Sequence, residues 1–166
     1  RARHPVQVRL RIIMDDLHLF LAHAIQLERE AARHYEELTE QMQTAGNAEV
    51  ATFFRQMAVF SRKHLGEAME RGGFRTVPQL RPDQLRWPDG ISPENAGWEG
   101  IDGFTDVLGA LELALQAERR GHAFYAGIAA TTHNVRLKRM ADEFASEEAE
   151  HVAELEKWID RVAAAD

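Results

Sequence analysis

The chain contains no cysteine. This excludes disulfides, thiolate-bound zinc or iron–sulfur clusters and a thiol nucleophile, and leaves the cytoplasm as the default expectation for its location. No run of about 18 apolar residues occurs and no signal-peptide pattern is visible, so no membrane partner is expected. Basic residues are outnumbered, 20 Lys and Arg against 27 Asp and Glu, for a formal net charge of −7. A nucleic-acid-binding surface is not expected from that balance. Proline is scarce, and four of the five prolines (78, 82, 88, 93) fall in one stretch. The strongest helix breakers are thus concentrated in a single connection.

What is present is enough for one domain: 166 residues, 45% of them hydrophobic. Residues 1–14 form a short basic arm with Arg1, Arg3, Arg9 and Arg11 around Pro5. The apolar spacing then predicts four helices, over 15–44, 48–71, 105–130 and 135–162, within a unit spanning 15–166. Ala45-Gly46-Asn47 reads as a stop, a turn and an N-cap, and Gly72-Gly73 closes the second helix. The second helix is expected to turn Val50, Phe53, Met57, Phe60 and Ala68 inward, with Ser61 and His64 on the same face. Residues 72–104, with Trp87, Trp98, Leu80 and Leu85, read as a long crossover pinned to the flank of the bundle. The expected fold is therefore all-α: a four-helix bundle of two helical hairpins joined by that crossover.

Polar residues interrupt the stripes at corresponding places. Glu28 sits mid-stripe in the first helix and Glu118 in the third. In the fourth, Glu148 and His151 stand one turn apart, about 60° on the helix wheel, flanked by Met140, Phe144, Leu155 and Trp158. An unpaired charge in a core costs several kcal/mol, so such carboxylates need a metal, a cation or a donor. The segment Ala24–Tyr35 aligns without gaps on Ala114–Tyr125, matching Glu28 with Glu118 and Tyr35 with Tyr125. Met57–His64 aligns on Phe144–His151, matching His64 with His151 but Ser61 with Glu148. A duplicated hairpin places Glu28, His64, Glu118, Glu148 and His151 around one centre, a donor set suited to iron or manganese. By wheel angle Glu147, Glu67 and His122 are further candidates near it, and Tyr35 and Tyr125 are either core aromatics or groups that orient a ligand. His4, His18, His23, His34 and His133 are expected to face solvent. Leu27, Leu38, Leu113, Ala117, Phe124 and Ile128 extend the stripes sideways, which either the crossover or a dimer face would cover.

On these residues, from about 15 to 162, the chain resembles the ferritin-like superfamily and looks most like its rubrerythrin-related branch. The resemblance implies a non-haem di-metal carboxylate centre that reduces peroxide or oxygen, or oxidises ferrous iron, in the service of oxidative-stress defence. It implies Glu28 and Glu118 as terminal ligands, His64 and His151 as imidazole ligands and Glu148 as a bridge. One or two irons are expected, with manganese or zinc as other occupants, and a homodimer or higher homo-oligomer. The chain departs from the branch at Ser61, which removes one bridging carboxylate, and at Leu115 and Gly121, near which rubrerythrins tend to carry a further Glu. It also has no rubredoxin module, so electrons must come from an external donor. A metal storage or carrier protein, or a helical interaction module with a degenerate site, are the alternative readings.

Overall fold

A computed structural model describes residues 13–98 and 106–165. Four helices carry nearly all of it: α1 (Leu17–Thr44), α2 (Ala48–Gly72), α3 (Val107–Thr131) and α4 (Val135–Ala164). Each begins on a short polar side chain that accepts from a first-turn backbone N–H: Asp16 from Leu19, Asn47 from Val50, Asp106 from Gly109 and Asn134 from Leu137. Such a cap satisfies one of the four amides that a helix start leaves unpaired and contributes about 1 kcal/mol. At the end of α2, Gly73 adopts a left-handed conformation (φ 67°), and the Phe74 N–H returns to the Met69 carbonyl. A side chain at Gly73 would be strained there.

The α1–α2 pair and the α3–α4 pair are antiparallel hairpins, and α2 leads to α3 through the crossover. This is the all-α architecture the spacing predicts. Asp15 ties the hairpins together at one end: its carboxylate accepts from the His133 N–H at 2.7 Å and the Thr132 hydroxyl at 3.0 Å, and its carbonyl accepts from Asn134. Of the basic arm, only Ile13 and Met14 are among the described residues, so Arg1, Arg3, His4, Arg9 and Arg11 lie outside them.

The hydrophobic core is in two parts. One packs Phe20, Leu21, Ile25, Phe124, Tyr125, Leu137 and Ala141. The other packs Leu38, Met42, Phe54, Met57, Leu111, Leu115 and Leu155. Between them, at mid-height on all four helices, lie Glu28, Ser61 with His64, Glu118, and Glu148 with His151. Burying each large apolar side chain contributes roughly 1.5–3 kcal/mol, and these two blocks hold the polar layer in place.

The crossover lies on α1 and α3 and corrects the expectation for two histidines. His23 and His34 do not face solvent: they are 0% and 5% exposed. His23 donates from Nδ1 to the Leu19 carbonyl and accepts the Arg86 N–H on Nε2, so both ring nitrogens are used and burial lowers its pKa. Trp87 packs edge-on against that ring, 4.7 Å between centroids, and against Phe124. Of the sideways apolar stripe, Leu27, Leu38, Ala117, Phe124 and Ile128 are buried and Leu113 is half-buried. His18 and His133 are exposed, as the spacing suggests.

Candidate metal centre

Three carboxylates in the polar layer are almost wholly buried: Glu28 at 7%, Glu118 at 4% and Glu148 at 5% exposure. Helical periodicity puts them there, because each occupies the core-facing position of a stripe that is otherwise apolar. Among the described residues, no lysine or arginine forms a salt bridge with any of them; the neighbours are imidazoles. His151 Nδ1 lies 3.4 Å from Glu118 Oε2, and His64 Nδ1 lies 3.7 Å from Glu28 Oε1. The second separation is too long for a hydrogen bond, so His64 Nδ1 is buried without a partner. The two rings stack nearly parallel, 5.8 Å apart.

The expected five residues thus converge, but they divide into two groups. Glu118, Glu148 and His151 bring ligand atoms within 4.8 Å of one another, and so do His64, Glu67 and Glu147. Glu28 links the groups through His64 and through its repulsion of Glu118. His122 is half-buried and belongs to neither group. Ser61 is buried where its counterpart in the other half is Glu148.

Tyr35 donates to Glu118 Oε1 at 2.5 Å, spanning the two hairpins. By the repeat, Tyr125 should mirror it, yet its hydroxyl is buried and unpartnered among Glu28, Glu148 and Glu147. The pseudo-symmetry of the sequence is therefore broken at the site.

The charges are unevenly held. Burial pushes Glu28 upward, against the opposing pull of His64, and pushes Glu148 well above the carboxylate range, helped by the neighbouring Glu118. Glu118 is penalised by burial too, but hydrogen bonds from Glu148 and His151 outweigh this and hold it at about 2. His64 is raised by Glu28 beside it, and His151 is raised by Glu118 against its own burial. Glu118 is thus favoured in its charged form while Glu28 and Glu148 are pushed toward their protonated forms, which is how like charges share a dry site.

This donor set fits a divalent cation: buried carboxylates with neutralisable imidazoles, and two orphaned donor groups, His64 Nδ1 and the Tyr125 hydroxyl, turned toward them. Gly121 adds a shaped recess. A Cβ at that position would lie 3.2 Å from Glu148 Oε2 and 3.4 Å from its Cδ, so only glycine leaves the carboxylate undisturbed. Alanine in a helix interior ordinarily stabilises by up to about 1 kcal/mol relative to glycine. Gly121→Ala is therefore expected to leave metal-free stability equal or higher while weakening metal affinity about tenfold, the scale of a disturbed ligand shell. Paired melting and metal-titration curves check this, and unchanged affinity would show that Glu148 has room to move.

Access is from the side between α2 and α4, which pack on each other far less than the hairpin partners do. A groove of about 620 Å³ opens there, lined by Phe53, Met57, Phe60, His64, His151 and Trp158 among others. Phe60 corrects the sequence reading: it stands 46% exposed on the rim instead of inside. The reason is the groove itself, since the fourth helix does not close over that part of α2.

Sequence reasoning missed a second buried polar group where the crossover meets α1 and α3. His34 Nδ1 lies 3.0 Å from Glu94 Oε1, both being buried. The indole of Trp98 stacks on His34, 4.0 Å between centroids. Ser92 donates to Glu30, and Arg120 Nε donates to the Pro93 carbonyl at 2.8 Å. Burial lowers His34 to about 4 and raises Glu94 well above its usual range. Despite the ion-pair distance, the contact is therefore one between neutral partners. A signal for His34 does exist: His23, Leu27, His34 and Leu38 lie on one line of the α1 wheel. Glu94, in an aperiodic segment, has none.

A comparison with curated proteins returns no match. Among solved structures, the chain is similar to the crystal structure of an uncharacterized conserved protein from Magnetospirillum magnetotacticum MS-1, with 41% identity and a TM-score of 0.69 over 86% of this chain and 92% of that one. The family profile of the ferritin-like domain matches residues 16–161. With that match spanning nearly every described residue, and carboxylates and imidazoles brought to mid-height of a four-helix bundle, this chain belongs to the ferritin-like domain family.

Proposed function

We propose that the chain is a metal-binding protein of rubrerythrin-like type, with Glu28, His64, Glu118, Glu148 and His151 as its ligands and iron as its principal metal. The observation that carries this reading is the polar layer. Four helices each deliver an acid or an imidazole to one dry level, among the described residues no lysine or arginine forms a salt bridge with its buried carboxylates, and buried carboxylates require a counter-charge.

Bound iron would supply Lewis acidity and electrons for reducing peroxide or oxygen, and the electrons spent would be restored by an external donor. The chain's own residues do the rest. Tyr35 fixes the Glu118 carboxylate through its 2.5 Å hydrogen bond, as partners of metal ligands commonly do. His151 and Glu148 hold protons against Glu118 in the metal-free state, and these are the protons displaced when a cation arrives. The apolar groove walls Phe53, Met57 and Trp158 narrow the approach to the imidazoles.

Purified protein given ferrous iron and then hydrogen peroxide is expected to retain metal and change its absorption spectrum. Glu118→Ala should abolish the spectral change and lower the amount of metal retained. Unaltered metal retention in that variant would end the reading. Ser61 favours a second reading, storage or carriage of metal, because it removes a carboxylate from α2. That reading expects tight binding without catalytic loss of peroxide.

A further inference from the structure

Outside the buried triad, we propose that His64, Glu67 and Glu147 form a second, outward-lying divalent-cation site between α2 and α4, beside the groove that His64 and Glu147 line. The inference rests on the metal-binding reading above and adds to it an exchangeable site by which ions enter.

The geometry comes first. His64 and Glu67 stand one turn apart on α2, and Glu147 faces them from α4 with Oε2 3.6 Å from His64 Nε2. Ligand atoms of all three lie within 4.8 Å of one another. Neither nitrogen of His64 makes a hydrogen bond: Nε2 is held off Glu147 at 3.6 Å and Nδ1 off Glu28 at 3.7 Å. An imidazole 16% exposed, set between two carboxylates and bonded to neither, is arranged for a shared cation. The buried, unpartnered hydroxyl of Tyr125 faces the same carboxylates, Glu147 among them.

Charge follows. Nearby arginines are already engaged, Arg71 with Glu143 through two hydrogen bonds and Arg62 with Glu36. Lys63 lines the groove, yet among the described residues no lysine or arginine bridges to Glu67 or Glu147. One imidazole and two carboxylates around a dication give a neutral site, a donor set for iron, manganese or zinc.

Position then gives the role. Adjacent residues on a helix point about 100° apart, so Glu148 serves the buried triad while Glu147 turns toward the groove. The inner carboxylates are buried, whereas Glu147 is half-buried and Glu67 exposed. Ser61 leaves α2 without the inner carboxylate that the other half places at Glu148, and Glu67, exposed one turn beyond His64 on the same helix, supplies one farther out instead. An ion there is reachable from the groove of about 620 Å³ and stands beside the His64–His151 stack, in which one ring belongs to each group.

Titration of the metal-free full chain with Co(II), followed by calorimetry and by counting bound ions after dialysis, tests this. Two binding events of different affinity are expected. The paired substitution Glu67→Gln with Glu147→Gln should weaken one of them by about tenfold or more and leave the other within about twofold. Glu118→Gln with Glu148→Gln should remove the other event instead. Melting curves confirm that each variant is folded, which the exposure of Glu67 and Glu147 favours. A single ion lost only with the outer pair would support this site and contradict the inner reading. A single ion lost only with the inner pair, or two ions indifferent to Glu67 and Glu147, would overturn the outer site and leave the reading of the buried triad standing. No binding at all would overturn both.

Discussion

Metal-free protein supplied with Fe(II) or Mn(II) at roughly a thousand times its dissociation constant is expected to melt about 8–16 °C higher. A ligand bound only by the folded state at that concentration contributes about 4 kcal/mol, and a domain of this size gains about 2–4 °C per kcal/mol. The size of the shift should depend on pH, because the metal-free site is arranged around held protons. Glu28 and Glu148 are raised above their ordinary 4.5, so their contribution is fully present below that value and lost as pH rises through their folded values. His64 and His151 are raised above 6.5 and act in the same sense, their contribution disappearing above it. Glu118, held at about 2, acts oppositely, and only as pH falls from 4.5 toward 2. Metal-free protein should therefore lose stability as pH rises from 4.5 to beyond 6.5, and the metal-bound form should lose much less. Scanning calorimetry across that range, with and without metal, reads both slopes. Parallel slopes would mean that the buried acids are compensated by something other than a cation.

His34→Ala is expected to destabilise the fold by about 2–4 kcal/mol and lower the melting temperature by roughly 10 °C. The estimate joins two losses. An unsatisfied buried Glu94 costs about 1–3 kcal/mol, and the Trp98 stack about 0.5–1.5 kcal/mol. Since Glu94 holds a proton, the loss is that of a neutral hydrogen bond and stays below the penalty for a stranded charge. The crossover should loosen on α1, moving Trp98 into water and its fluorescence to the red. Glu94→Gln keeps a hydrogen-bonding group in place and is expected to cost less than half as much. If His34→Ala melted with the wild type, the crossover would have to be held by Trp87 and His23 alone.

Helix periodicity carried the reading of this chain wherever a side chain's environment follows from its own helix. Glu28, Glu118 and Glu148 were legible because a charge in the middle of an apolar stripe has few destinations. The gapless repeat made their convergence legible as well, and the match of the ferritin-like family to residues 16–161 agrees with it. Contacts made by the crossover were not legible in the same way. Its residues have no period, so nothing in Ser92-Pro93-Glu94 marks Glu94 as the partner of a histidine sixty positions earlier. His23 and His34 are buried, against expectation, because the aperiodic crossover packs on their side of α1. Phe60 is the converse case: its wheel position points inward, but no neighbouring helix covers it. The broken symmetry of Tyr35 and Tyr125 was hidden too, since identical positions in a repeat say nothing about which hydroxyl finds a partner.

An anomalous-difference map from a crystal soaked in Fe(II) or Mn(II) bears most directly on the convergence of the two hairpins upon a shared cation. A peak within about 2.5 Å of carboxylate oxygens of Glu118 and Glu148 and of a His151 nitrogen is the predicted result. A well-ordered polar layer with no peak among those three residues would contradict it.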